Sequence, residues 1–297
     1  RAPLLTSGAR APLVRGSRLR GYGADDRDDV YRVRDRERQD MTSFDAGTPC
    51  WVDLTVADLE AGKRFYGELF GWTFEAGAEA FGDYTPALKD GKDVAALVPA
   101  RDGAPTAWNL YFATPDVEAL ARRITEAGGK VTGGPFPVAD AGTVLQAVDP
   151  GGAAFGAWQA GTRAGFALQG VPGSFFWPEI YTRAKADVDP FYETVFDFKG
   201  QQISEGTEFD FKLWFAPGAQ APTAGRLQMG AFIPEEVPAH ALVYFSVADT
   251  DATVAKVREL GGSVSREPSD SPFGRSALVS DDQGARFAVM GPVKDAG

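Results

Sequence analysis

Two acids in this chain stand in the same chemical setting. Asp53 follows Trp51 by two residues and Glu179 follows Trp177 by two, each within a short, largely apolar run. Side chains alternate along an extended strand, so each acid shares a face with its indole. Facing inward, such a pair is a polar anchor in an apolar pocket. Loss of water then raises the carboxyl pKa and suits it to acid or base work. Facing outward, the acid pairs with a surface Arg or Lys, and the alternation alone does not choose. His240 is the one histidine of the chain, and neutral imidazole exchanges protons near pH 7. It follows Pro238 and Ala239 at the entrance of a strand, which also suits a loop or edge residue without a role. Asp53, Glu179 and His240 are therefore the catalytic candidates. Trp51, Trp108, Trp158, Trp177, Tyr181 and Trp214, with the two acids, are the candidates for lining a pocket around a planar or hydrophobic ligand, each against the alternative of a core residue. Cys50 directly precedes Trp51 and is expected on the opposite strand face, as a buried or surface thiol rather than a nucleophile. No Gly-rich phosphate loop with a following Lys stands out, and no Ser-His-acid order.

These side chains need a frame, and the chain is long enough for two domains at 297 residues. Its 35 glycines point to many turns and short strands. One cysteine excludes an intrachain disulfide. Residues 1–40 hold ten Arg, no Lys and seven acids, a net +3 against −11 for the whole chain, so the remainder carries −14. That argues against a nucleic-acid partner, whose phosphates need clustered cations. The longest apolar stretch, around residues 241–247, falls far short of the roughly 20 residues of a membrane helix. Residues 1–40 have no apolar core behind their basic residues and read as a disordered leader rather than a secretory signal. A soluble protein with no membrane association is expected.

The body repeats itself. Trp51, Phe65, Tyr66 and Phe70 recur as Trp177, Phe191, Tyr192 and Phe196 at an offset of 126. A second match pairs Tyr111-Phe112 with Tyr244-Phe245 at an offset of 133, and a third pairs Asp149 and Phe155 with Asp281 and Phe287 at 132. That is too many aromatic coincidences for shared propensity. Four places follow a strand-like run with an acid pair: Asp58 and Glu60, Asp116 and Glu118, Asp187 and Asp189, Asp249 and Asp251. The first acid of each is expected to cap a helix, the second to favour the positive end of its dipole. Helices are predicted over residues 61–70, 119–127, 190–196 and 252–260, with Gly71, Gly128 and Gly261 as stops. Gly- and Pro-punctuated apolar runs after each read as strands. The fold class is α+β, with four βαβββ modules.

A paired βαβββ unit resembles the vicinal oxygen chelate superfamily of glyoxalases, bleomycin-resistance proteins and extradiol dioxygenases. The motifs that carry the resemblance are Phe65-Tyr66-Gly67-Glu68-Leu69-Phe70-Gly71-Trp72 and Asp149-Pro150-Gly151-Gly152-Ala153-Ala154-Phe155. The tandem layout and the openings at Trp51 and Trp177 resemble an actinobacterial group that includes a mycobacterial culture-filtrate antigen labelled a glyoxalase. The resemblance implies two glyoxalase-like half-barrel domains at 46–163 and 173–292, a linker at 164–172, a leader at 1–45 and a tail at 293–297. Metal-using relatives place His on opening strands and Glu on closing ones. Those places fall here on Trp51, the neighbourhood of Trp108, a residue near Ala95 and Gly156 in the first half. In the second they fall on Trp177, His240 or Ala241, a residue near Met229, and Ala288. None is a ligand of the usual kind, so no metal and no cofactor are expected. The expected function is small-molecule binding in aromatic-lined cups. The alternatives are a lyase or hydroxylase-like enzyme acting on a reactive carbonyl such as methylglyoxal, and an interaction protein that uses the fold as scaffold. The expected partner is a small molecule, the oligomeric state monomer or homodimer, and the location cytoplasmic, with secretion by a non-standard route as the alternative.

Overall fold

The computed structural model describes residues 43–77, 82–101, 103–206 and 209–293, so residues 1–42 of the expected leader and the tail beyond Val293 lie outside the described residues. Each module runs strand, helix, three strands. The first is β1 (Pro49–Val56), α1 (Leu59–Phe70), β2 (Thr73–Phe74), β3 (Thr85–Lys89) and β4 (Lys92–Pro99). The second is β5 (Ala107–Ala113), α2 (Val117–Glu126), β6 (Lys130–Val138), β7 (Gly142–Val148) and β8 (Ala154–Ala160). The third is β9 (Phe175–Thr182), α3 (Lys185–Val195), β10 (Lys199–Ser204), β11 (Phe211–Phe215) and β12 (Ala224–Gln228). The fourth is β13 (His240–Ser246), α4 (Thr250–Glu259), β14 (Ser263–Ser271), β15 (Gly274–Ser280) and β16 (Arg286–Gly291). The α+β class and the four-module architecture are as the sequence predicts.

Modules pair within each half. One eight-stranded sheet runs β2-β3-β4-β1-β5-β8-β7-β6 and the other β10-β11-β12-β9-β13-β16-β15-β14. The opening strand of each first module joins that of its neighbour antiparallel, β1 to β5 and β9 to β13. Within modules the opening strand lies parallel to the closing one, as β1 does to β4, and the intervening helix makes the crossover that parallel pairing requires. The expected linker is not a bare tether: Phe166 is fully buried and stacks on Phe175, ring centroids 4.9 Å apart, while its backbone N–H donates to the Cys50 carbonyl.

Three helices start as the acid pattern predicts: Asp58, Asp116 and Asp249 each accept the backbone N–H three residues on, at 2.9–3.0 Å. Gly71 ends α1 in the left-handed region, φ 72°, where a side chain would be strained. The third helix departs from the pattern. It begins two residues before Asp187, Ala184 is its cap residue without a side-chain bond, and Pro190 lies inside it. Asp189 serves a different purpose, binding the fully buried Arg226 of β12 through Nε at 2.9 Å and Nη2 at 3.1 Å. Asp210 accepts from the same guanidinium, so the buried charge is paired on two sides.

Alternation along β1 sorts its residues cleanly. Val52, Leu54 and Val56 enter the core between the two sheets, while Trp51, Asp53 and Thr55 face the other way. The helices carry that core across the halves. Phe70 of α1 packs on Phe245 and Phe287 of the second sheet at 5.1 and 6.1 Å between centroids, and Phe196, just past α3, on Phe112 and Phe155 of the first at 4.8 and 6.0 Å. The Tyr66 hydroxyl donates to Asp281 at 3.0 Å and accepts from Trp108 Nε1 at 3.2 Å. Its repeat partner Tyr192 approaches Asp149 but makes no hydrogen bond of good geometry. Tyr66→Phe is therefore expected to cost about 2 kcal/mol in urea unfolding, and Tyr192→Phe under about 1 kcal/mol. Equal losses would contradict the asymmetry.

Candidate functional site

The outward face of the first sheet encloses a cavity of about 720 Å³. Its floor comes from the two central strands: Trp51, Asp53 and Thr55 of β1, with Asn109 and Tyr111 of β5 beside them, Asn109 directly opposite Asp53 in the ladder. Tyr84, just before β3, and Trp158 of β8 supply walls. Asp53 is 4% exposed. Asn109 Nδ2 donates to its Oδ1 at 2.8 Å, and the phenols of Tyr84 and Tyr111 stand near the same carboxyl. The Tyr84 oxygen in turn accepts from Trp51 Nε1 at 2.6 Å. Burial pushes the Asp53 pKa up to about 6, against Asn109 and the two nearby phenols, which pull it down. At the rim Arg163 pairs with Asp93 at 3.0 Å, and its carbonyl accepts from Trp158 Nε1 at 2.9 Å. Two glycines make room for this arrangement. A Cβ on Gly156 would stand 2.2 Å from the Tyr111 ring, and one on Gly142 2.5 Å from the Trp158 ring.

The second cup is built alike and filled differently. Trp177, Glu179 and Tyr181 face it from β9, and Leu242 and Tyr244 from β13. Glu179 accepts from the Tyr244 hydroxyl at 2.9 Å and from Trp177 Nε1 at 3.3 Å. Burial raises its pKa, opposed by Tyr244 and by the charge of Arg266. Phe211, Leu213, Leu227, Met229 and Met290 pack together around this floor as an apolar cluster. By the repeat, Thr55, Asn109 and Trp158 of the first cup correspond to Tyr181, Leu242 and Met290 here. His240 lies at the end of β13, its ring stacked on Tyr181 at 5.0 Å and its Nδ1 2.9 Å from the Pro238 carbonyl; burial lowers its pKa. The three catalytic candidates are thus divided, with Asp53 in one cup and Glu179 and His240 in the other.

Two expected lining residues sit elsewhere. Trp108 alternates to the core face of β5 and packs on Phe245 at 4.9 Å, and Trp214 is fully buried against Tyr192 at 4.7 Å. Cys50 also departs from simple alternation. A bulge between Pro49 and Trp51 breaks the period, and Cys50 joins the small cluster of Tyr111, Trp51 and Trp158, its Sγ 3.5 Å from the Tyr111 carbonyl. Desolvation raises its pKa, which keeps it a thiol. Asn109, Tyr111 and Tyr84 were not singled out in the sequence. The first two were legible, since a strand that buries Trp108 must turn its alternate residues to the cup. Tyr84 was not, because it belongs to no repeated motif.

A model of the glyoxalase/bleomycin resistance protein/dioxygenase superfamily matches residues 49–156 and again 180–289. The chain belongs to this superfamily. It is 37% identical over 266 residues to the anthracycline biosynthesis protein DnrV of Streptomyces peucetius, a match that spans 84% of this chain and 95% of DnrV. It is 36% identical over 258 residues to CFP32 of Mycobacterium bovis, which carries a provisional glyoxylase name, across 84% of this chain and 97% of that one. Its fold is similar to the Mn(II)-bound glyoxalase of Novosphingobium aromaticivorans, with TM-score 0.60, 18% identity, and 84% and 83% of the two chains covered. It is also similar to the halotolerant catechol dioxygenase BphC, with TM-score 0.58, 13% identity, and 84% and 89% covered. At these identities the superfamily structures share the fold alone. Among the described residues, no three His, Cys, Asp or Glu side chains gather as a metal site requires.

The raised Asp53 pKa makes a stability prediction. An acid whose pKa is higher folded than unfolded favours folding most below its unfolded value of 3.8, and that advantage is lost as pH rises through about 6. Asp53→Asn stays neutral throughout. Its unfolding free energy relative to the native chain is expected to improve by about 2 kcal/mol between pH 4 and 7 in urea titrations. A difference that does not change with pH would contradict the buried-acid assignment.

Proposed function

We propose that this chain binds a small, planar, oxygen-bearing organic molecule in its first cup, without the divalent metal used elsewhere in the superfamily. The observation that carries the reading is the cavity of about 720 Å³ in which Trp51, Trp158, Tyr84 and Tyr111 surround one buried carboxyl. That volume suits a ligand of several fused rings, and aromatic walls with a few convergent polar groups are what such ligands need. The names of DnrV and of DauV from Streptomyces sp., 38% identical over 266 residues, connect those relatives with anthracyclines, which supports a flat polycyclic ligand here.

The donor set does not fit a family-type metal ion. Asp53 is the carboxylate at the floor; Asn109 already bonds to it, and the phenols of Tyr84 and Tyr111 flank it. The closing position is Gly156, where the Tyr111 ring fills the space a ligating side chain would need. Thiolate, imidazole and a second carboxylate are missing from the floor residues named, whereas hydrated divalent ions are held by several such groups. The second cup, packed by its own Phe, Leu and Met side chains, supports one ligand per chain. The net charge of −11 supports a small-molecule partner over nucleic acid, a monomer or homodimer serves such a role equally, and none of the described helices is long and apolar enough to cross a membrane.

Titration with a dihydroxyanthraquinone, followed by tryptophan fluorescence, tests the reading. Saturable quenching at one equivalent is expected, with affinity weakened about tenfold in Trp158→Ala and unchanged by a chelator. Loss of binding on chelation, or quenching that does not saturate, would contradict it.

A further inference from the structure

Binding alone leaves the floor of the first cup unexplained. An aromatic body can be held by indoles, and a neutral amide would serve a ligand hydroxyl without the cost of burying an acid. The cup instead holds a carboxyl fixed in orientation. Asn109 Nδ2 donates to Asp53 Oδ1 at 2.8 Å and lies 3.3 Å from Thr55 Oγ1, which keeps the amide from turning away. Beside it stands a phenol with its own support. The Tyr84 oxygen accepts from Trp51 Nε1 at 2.6 Å. Accepting at its oxygen makes a hydroxyl a stronger donor. Two other buried charges have a different setting: Arg226 is neutralised by Asp189 and Asp210, and Glu179 lies beside an apolar cluster of Phe, Leu and Met side chains.

We infer that Asp53 and Tyr84 form a metal-free proton-transfer site, which interconverts the keto and enol forms of a cyclic ketone fused to an aromatic ring. The inference rests on the first cup being the ligand site. In the forward step the ionised Asp53 takes a proton from the carbon next to the ligand carbonyl. The C–H bond breaks, its electron pair becomes the C=C bond of an enolate, and the carbonyl oxygen takes up the negative charge. Tyr84 donates a hydrogen bond to that oxygen. Asp53 then returns the proton, to the same carbon, to the oxygen as an enol, or to a further conjugated carbon as an isomer. Atoms and electrons balance without oxidant, reductant or cofactor. A base needs a pKa near the working pH to be both ionised and strong. Burial moves Asp53 toward that range. A carboxylate base acting with a phenol donor in an apolar site is a known solution to enolisation.

The test uses β-tetralone as probe in heavy water, with loss of its α-proton signals followed by proton NMR, and tryptophan quenching in the same samples as the binding readout. The full chain is expected to exchange those protons at least about a hundredfold faster than buffer, unaffected by chelator. Asp53→Asn is expected to return the rate to near background while still binding the probe. Tyr84→Phe is expected to lower the maximal rate about tenfold with a smaller change in KM. Saturable binding with exchange no faster than buffer, or full exchange in Asp53→Asn, would overturn the inference and leave the binding reading standing. Failure of the probe to bind, together with failure of the anthraquinone titration, would overturn both.

Discussion

The structure depends on aromatic side chains of each half being buried in the other. Each eight-stranded sheet has an apolar face that two short helices do not cover, and such a face left bare is not stable in water. The solution is reciprocal. Phe70 of α1 enters among Phe245 and Phe287, and Phe196 beside α3 enters among Phe112 and Phe155, so that one core serves both sheets. Tyr66 adds a hydrogen bond across the halves to the turn acid Asp281. The Phe-Tyr helix of the first half and the Asp281 turn of the second thus meet across the centre of the molecule. With the inner faces used in this way, both cups open away from the core and are free to diverge.

They have diverged. The first keeps small and polar residues around its carboxyl, Thr55 and Asn109, and gains Trp158 as a wall; the second carries Tyr181, Leu242 and Met290 at the matching positions, packed in an apolar cluster. The frame is the same in both. What differs is the side chains that face each cup, and in the first, with about 720 Å³ open, glycine at 142 and 156 lets large rings lie flat against the sheet. A duplicated fold needs one intact core but not two working pockets, which leaves the second cup free to serve packing.

Much of this was legible in the sequence, because the repeat is carried by large aromatic residues whose spacing cannot drift without losing the core. Trp51, Phe65, Tyr66 and Phe70 announce their counterparts 126 residues later, and three of four capping acids do what their position suggests. Alternation placed Asp53 beside Trp51 on one face, though not which face was inward. The misses have local causes. The third helix starts early, and Asp189 within it binds Arg226, a charge from a distant strand that no local pattern reveals. The bulge before Trp51 moves Cys50 into the cup cluster, and a residue-count argument cannot see a bulge. Trp108 looked like a lining residue by type, yet its neighbours Asn109 and Tyr111 take the cup face and leave it the core.

The central claim is that the first cup is shaped for an organic ligand, its carboxyl held by an amide and flanked by two phenols in place of a metal. Anomalous X-ray diffraction from crystals grown in excess manganese, iron or zinc addresses it directly. The account predicts a first cup with no ordered ion in bonding reach of Asp53. An ion coordinated there, by Asp53 with Asn109 or Tyr111, would contradict it.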